Sequence, residues 1–420
     1  MNRQEIVENI LKEIQKQIRN ASFREKYFGG SNHFTRKRDF TLKELIAFLI
    51  QRSGKSLDIK LNEWFSAWKA EEEKIVSRQA VSKARQLLPE KIFRDFLKLT
   101  TQTFVEKCKG QNSWNGYQLY AIDGTDLQIP TTKENLKEFG GMRGPSGSQS
   151  AGASASALFD ITNDIILDGI ICPYKTNERK MAKELLDSIM TCNMKKNSIV
   201  IMDRGYPGYD FLGYLYDTNI NFVIRVKEQM SRLRDTKRLD GEVYRKCGSK
   251  CRTIRTIELT LKTGTKEYLI TNMAKEKMPY KKFEELYFKR WGIEGKYREL
   301  KSRLELENFS GKKAICVKQD YYINLFLSNI CSLIKEEIDK EISDDTKEKK
   351  EYQTRRSYLI YQINQKISGM LLGLIKVEDC LKRVIEMCKK KRSQIRRNRT
   401  CERNLNLNRR RYCMNYKRCI

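Results

Sequence analysis

The chain has 420 residues, 40% of them hydrophobic, with 83 Lys plus Arg against 53 Asp plus Glu and a formal net charge of +30. That length and apolar content predict two or three globular domains and exclude a chain disordered throughout. The basic excess points to a polyanionic partner, because each cation set against a phosphate releases condensed counterions. A merely lysine-rich cytosolic protein is the bland alternative.

The one histidine, His33, lies in the polar stretch GGSNHFTRKRD. A single imidazole excludes a multi-histidine zinc site and an HExxH helix, and a Ser-His-Asp triad would have to use it. Twelve cysteines are present, with Cys247 and Cys251 close together and Cys388, Cys401, Cys413 and Cys419 near the C-terminus. No paired CxxC pattern joins them, so free thiols are expected, with a structural zinc in the tail as the alternative. No run of 18 apolar residues occurs and the N-terminus lacks the apolar core of a secretory signal. The expected location is the cytoplasm, at the nucleoid, with no membrane partner.

Residues 1–112 read as a helical N-terminal DNA-binding region. Ile6, Ile10, Leu11, Ile14 and Ile18 share one helical face. Thr41 and Glu44 open a second helix with the spacing of a capping box. A third, SRQAVSKARQLL from Ser77, carries a basic face beside Val81 and Leu87 that suits a helix laid on DNA, or equally an ordinary amphipathic one.

Residues 113–338 change character. GYQLYAIDGTDLQI reads as a strand whose apolar run ends at Asp123, and ASALFDI and IILDGII as a hairpin. ERKMAKELLDSIM is a helix, NSIVIMDRGYP a buried strand ending at Asp203, GYDFLGYLYD a helix and NFVIRV a strand. This order predicts a mixed α/β sheet with flanking helices. Residues 228–275 read as a β-rich insertion, and one long helix is expected from about Tyr280 to Glu305. The glycine-rich stretch 140–152 lacks the GK[ST] of a phosphate-binding loop, so no ATP site is expected. Residues 339–420 read as a helical C-terminal region with a basic tail.

Asp123 and Asp203 each end an apolar strand, where sites form in open α/β sheets. Taken singly, each reads as well as a turn or cap residue. The segment YFKRWGIEGKYRELK adds Tyr287, Arg290, Glu294 and Lys301 at offsets 0, 3, 7 and 14. At about 100° per residue these fall within roughly 60° of one another on a helix, with Trp291 about 40° to the other side of Tyr287. Gly292 and Gly295 weaken that helix, as expected where a DNA backbone approaches.

IDGT around Asp123, MDRGYPG around Asp203 and the Y-x2-R-x3-E-x6-K spacing from Tyr287 to Lys301 resemble the DDE transposases of bacterial insertion sequences, insertion-sequence family 4 in particular, over residues 40–335. The resemblance implies a ribonuclease-H-like core, with Asp123, Asp203 and Glu294 as catalytic metal-binding triad and Tyr287, Arg290 and Lys301 on phosphates. It implies an endonuclease that cuts at terminal inverted repeats and joins the ends to target DNA in DNA recombination, acting as a dimer or higher assembly. The tail after Lys389 matches nothing in that pattern.

The chemistry agrees with the residue types. Two Mg²⁺ or Mn²⁺ ions roughly 3.5–4 Å apart clamp attacking and leaving oxygens in line, and three carboxylates hold them without histidine. Arg290 suits a bidentate phosphate grip and Lys301 a point charge. Trp291 offers a stacking surface for an unpaired base, or a core ring. Asp126, in DGTD, is expected to orient its loop. A nuclease of related fold without strand transfer and a catalytically silent DNA-binding descendant are the alternatives.

Overall fold

The computed structural model describes residues 1–35, 40–69, 75–108, 111–143, 147–190, 197–261, 264–345 and 351–395. Cys401, Cys413 and Cys419, and most of the basic tail, lie outside the described residues. By internal contact the chain forms two compact units, one of Met1–Gly110, Leu127–Ala153 and Leu300–Ile420, the other of Gln111–Asp126 and Ser154–Glu299. Among the described residues no helix is long and apolar enough to cross a membrane.

The first unit is mainly helical. The helix Arg3–Arg19 buries Ile6, Val7, Ile10, Leu11, Ile14 and Ile18, the stripe its 3.6-residue spacing creates. In the helix Leu42–Ile50 the Glu44 carboxylate turns back to accept the Thr41 N–H at 2.7 Å, as the sequence spacing requires. The helix Ala314–Asp345 is buried without a break from Gln319 to Ile334, so it has no solvent face there. Its Asp320 is fully buried and held by Arg52 (2.7 Å), Arg85 (2.8 Å) and the Ser310 N–H (2.6 Å). Arg85 belongs to the helix Arg78–Gln86, the candidate DNA-facing helix. That arginine points inward, paired with the buried Asp320 charge, while Leu87 just past the helix is exposed.

The second unit is built on the sheet. Its strands are β1 (Gln118–Gln128), β2 (Gly141–Arg143), β3 (Gln149–Asp160), β4 (Ile165–Pro173), β5 (Ser198–Met202), β6 (Asn221–Val226), β7 (Asp240–Cys247), β8 (Lys250–Thr260) and β9 (Lys266–Thr271). The order is β2-β3-β1-β5-β6-β9-β8-β7, with β4 also paired to β3. β2 and the ends of β1 and β3 nearest it are counted with the first unit. β1, β5 and β6 are parallel neighbours, whereas β9, β8 and β7 add on antiparallel. The helices Glu178–Met190 and Tyr209–Asp217 make the β4–β5 and β5–β6 crossovers. A hairpin followed by helix-linked parallel strands is the mixed α/β arrangement that the sequence order predicts.

Three local expectations change. β1 does not stop at Asp123 but runs on to Gln128, because hydrogen bonding to its neighbour outlasts the apolar run. The long helix is broken at Arg290 into Phe283–Lys289 and Trp291–Ser302. The Arg290 N–H bonds to the Tyr287 carbonyl and the Ile293 N–H to that of Arg290, three residues back in each case, which tightens one turn. Gly292 is explained by packing, since a Cβ there would stand 3.1 Å from Ile161, whereas at Gly295 nothing lies within 4 Å.

Candidate active site

The register of the parallel strands builds the site. Gln118 pairs with Ser198 and Ala121 with Ile201, a constant offset that, carried two residues on, sets Asp123 opposite Asp203. Met202 pairs with Ile224, so the next step sets Asp203 opposite Arg225. Asp123, in the middle of β1, Asp203, just past β5, and Arg225, near the end of β6, thus fall in one row across the three strands. The ion pair between Arg225 Nη1 and Asp203 Oδ1, at 3.5 Å, agrees with that row. Beneath it lies an apolar layer that includes Leu119, Ile199, Ile201, Val223 and Leu269, packed against Phe283, Leu286 and Tyr287 of the helix before Arg290.

Arg290 bridges the helix to the row. Its Nη1 lies 2.9 Å from Glu294 Oε1, one turn on, and 4.0 Å from Asp203 Oδ2. Only 4% of its side chain is exposed, so its charge is felt at close to full strength. Arg225 is engaged more firmly by Glu267, which takes its Nε and Nη2 bidentately. The Tyr287 ring lies between the two guanidinium groups, 5.8 Å from Arg225 and 5.7 Å from Arg290, a cation–π brace for both.

The Asp123 carboxyl is strongly perturbed. Burial, with Asp203 and Glu294 adding like charge, pushes it up to about 7, against the opposing Gly124 N–H and Arg290. The Gly124 N–H donates to Asp123 Oδ1 at 2.9 Å. The Asp123 main-chain oxygen is fixed by the hydroxyls of Tyr297 (2.9 Å) and Ser156 (3.0 Å). Asp126 accepts the Ser154 hydroxyl at 3.0 Å.

The three sequence-picked acids and Arg290 therefore share one environment. Tyr287 is there too, but only 2% exposed, and its buried hydroxyl has no hydrogen-bond partner. Trp291 is 41% exposed and stacks its ring 5.2 Å from the Arg290 guanidinium. Lys301 falls in the other unit, 3.8 Å from Glu307. Sequence reading missed Arg225, Glu267 and Tyr297. Arg225 had a signal, being a lone cation at the end of the apolar strand NFVIRV.

A family model described as the transposase DDE domain matches residues 114–330. The chain belongs to that family. A transposase of Escherichia coli K12, InsG for insertion sequence element IS4, is 25% identical over 281 residues, covering 61% of this chain and 60% of that protein. The putative transposase InsZ of the same organism is 26% identical over 140 residues, 33% of this chain and 45% of that one. The chain thus spans less than two thirds of either relative's length, and the likenesses are to transposases of the IS4 type. A solved synaptic complex of piggyBac transposase with hairpin DNA covers 91% of this chain and 85% of its own at 11% identity and a TM-score of 0.48.

Members of this family use divalent metal ions, and the residues here suit such ions by chemistry. The donors are hard oxygens, Asp203 Oδ1 is buried with no hydrogen-bond donor, and burial leaves Asp123 short of positive charge. Among the described residues no three acidic, histidine or cysteine side chains are already drawn together as a metal cage. Arg290 lies between Glu294 and Asp203 and sets a positive charge against both.

Proposed function

We propose that the chain is a DNA transposase that cuts at the ends of its element and joins the freed 3′-hydroxyls to target DNA, with Asp123, Asp203 and Glu294 holding two Mg²⁺ or Mn²⁺ ions. The observation that supports this is the register: carried two residues on, it sets two aspartates from distant segments opposite one another on neighbouring parallel strands, with Arg290 between Glu294 and one of them. The ions, when bound, supply the charge that activates water and stabilises the leaving oxygen.

The chain's own residues do the rest. Asp123 is pinned through its main chain by Tyr297 and Ser156, so its carboxylate is held in place before any ion arrives. Arg290, released from Glu294, is free to grip a phosphate bidentately, and the Tyr287 hydroxyl has an unused donor to offer beside it. Lys301 and Trp291 are proposed DNA contacts on the same helix. The DNA comprises the terminal inverted repeats and the target, and the working form is a dimer or higher assembly.

The test is a nicking and strand-transfer assay on DNA bearing the element's ends. Asp123→Asn, Asp203→Asn and Glu294→Gln should each abolish Mg²⁺-dependent nicking while leaving DNA binding intact. Nicking by the triple variant would refute the site. Nicking by the natural chain without joined product would make it a nuclease of related fold.

A further inference from the structure

Arg225 and Glu267 meet across the pairing of β6 with β9. Arg225 lies opposite Leu269, so Glu267, two residues before Leu269, is its diagonal neighbour on the same face, within reach of a long side chain. That face also carries Ile257 and Leu259 and is clustered with Phe283 and Tyr287. The Arg225 and Glu267 side chains are 15% and 9% exposed. A charged pair set in an apolar layer costs desolvation that two apolar residues would not, so stability alone is a weak reason for it.

The geometry of the pair is specific. Glu267 accepts from Arg225 Nε with one oxygen and from Nη2 with the other. A guanidinium carries two such forks, one at Nε and Nη2, the other at Nη1 and Nη2. Glu267 fills the first. Nη1, on the second, makes no hydrogen bond to any described residue and lies 3.5 Å from Asp203 Oδ1, a long ion pair. The Tyr287 ring, 5.8 Å away, covers one face of the guanidinium. Carboxylate on one edge and ring on one face thus fix the plane, and the outer fork is turned toward Asp203. Arg290 differs, because its Nη1 is held by Glu294 at 2.9 Å and must leave that acid before taking another anion.

We infer that Glu267 is a positioning residue, which holds Arg225 with its outer fork open to a DNA phosphate beside Asp203. The inference rests on the reading of this site as one that receives DNA. An arginine already held on one edge loses little rotamer freedom when it grips a phosphate with the other, and the planar fork matches two phosphate oxygens.

The test is a set of end-DNA duplexes in which single phosphates near the cleaved bond are replaced by uncharged methylphosphonates. They are bound to the full chain in Ca²⁺ and read by fluorescence anisotropy. At one position the natural chain should lose about tenfold in affinity, the cost of one bidentate charged contact. In Arg225→Lys, which keeps the charge and removes the fork, that position should cost less than about threefold. Glu267→Gln keeps the shape and loosens the hold on Arg225, and should shrink the cost in the same way although Arg225 is still present. Arg225→Met combined with Glu267→Met removes the pair without stranding a charge, so it should melt near the natural chain and still show no cost at that position. A role confined to joining β6 and β9 would lower the melting temperature of Glu267→Gln and leave the tenfold cost in place, which would overturn the inference. If the natural chain is indifferent to every methylphosphonate near the cleaved bond, Arg225 meets no phosphate and the inference falls while DNA binding stands. If the natural chain binds no end DNA, the reading of the site falls with it.

Discussion

Arg290 sets its charge against two of the acids proposed to hold metal, and removing that charge should tighten metal binding. Its Nη1 stands 2.9 Å from Glu294 and 4.0 Å from Asp203, and only 4% of the side chain is exposed. At 4 Å and an effective dielectric constant near 20, one such pair is worth about 4 kcal/mol before desolvation is subtracted. Glu294 and Asp203 are 29% and 32% exposed, so water screens part of this. A net coupling on the order of 1–2 kcal/mol is expected, which converts to roughly a tenfold change in a binding constant. Arg290→Met keeps the volume and removes the charge. Its affinity for Mn²⁺ in the absence of DNA should rise about tenfold, while nicking slows because the phosphate grip is lost. Calorimetric titration of metal-free protein reads the first effect and initial nicking rates the second. An unchanged or weaker Mn²⁺ affinity would show that Arg290 and the ions do not compete for the same carboxylates.

Three further outcomes follow from groups on the page. Asp123 is raised from about 3.8 to about 7 in the folded chain, so its contribution to stability is present below pH ~4 and lost as pH rises through 7. Metal-free Asp123→Asn should therefore overtake the natural chain in stability between those pH values, by at most about 4 kcal/mol at 1.36 kcal/mol per unit, and urea melts at pH 5 and 8 that show no such divergence would contradict the burial argument. Tyr287→Phe removes a buried hydroxyl without a partner, so the melting temperature should hold or rise slightly while nicking slows; a large loss of stability would reveal a partner for that oxygen. Asp320→Asn leaves Arg52 and Arg85 buried without their acid and should destabilise the helical unit by about 3–5 kcal/mol, seen as an early urea transition.

The order of strands and helices in the sheet region was legible in the sequence, and the candidate acids could be picked out there as residues. Asp123 and Asp203 were legible because apolar runs lead up to each, and Glu294 because helical spacing aligned it with Arg290. What joins them was not legible. The offset that sets Asp123 opposite Asp203 is a property of strand pairing, which period-two patterning within one strand cannot fix. Arg225 and Glu267 meet through pairing of β6 with β9, across 42 residues of chain. Gly292 was assigned to DNA approach when contact with Ile161 accounts for it. The basic face of SRQAVSKARQLL could not show that Arg85 turns inward, because its buried acid, Asp320, lies more than 200 residues away.

The whole chain and its centre carry opposite charge, which has a consequence for the order of binding. A formal charge of +30 draws DNA from a distance, and that attraction weakens as salt is added. At the candidate site Asp123, Asp203 and Glu294 stand near two guanidinium groups, those of Arg290 and Arg225, the latter already chelated by Glu267. A phosphate diester meets net repulsion there until cations arrive. The same protein should thus hold DNA without metal but not seat the scissile phosphate. In metal-free buffer Asp203→Asn, which deletes one repelling charge, should bind end DNA a few-fold more tightly than the natural chain. Added Mg²⁺ should tighten the natural chain more than the variant. Anisotropy titrations at two salt concentrations measure both, and equal affinities with and without metal would mean that the DNA never reaches the carboxylates.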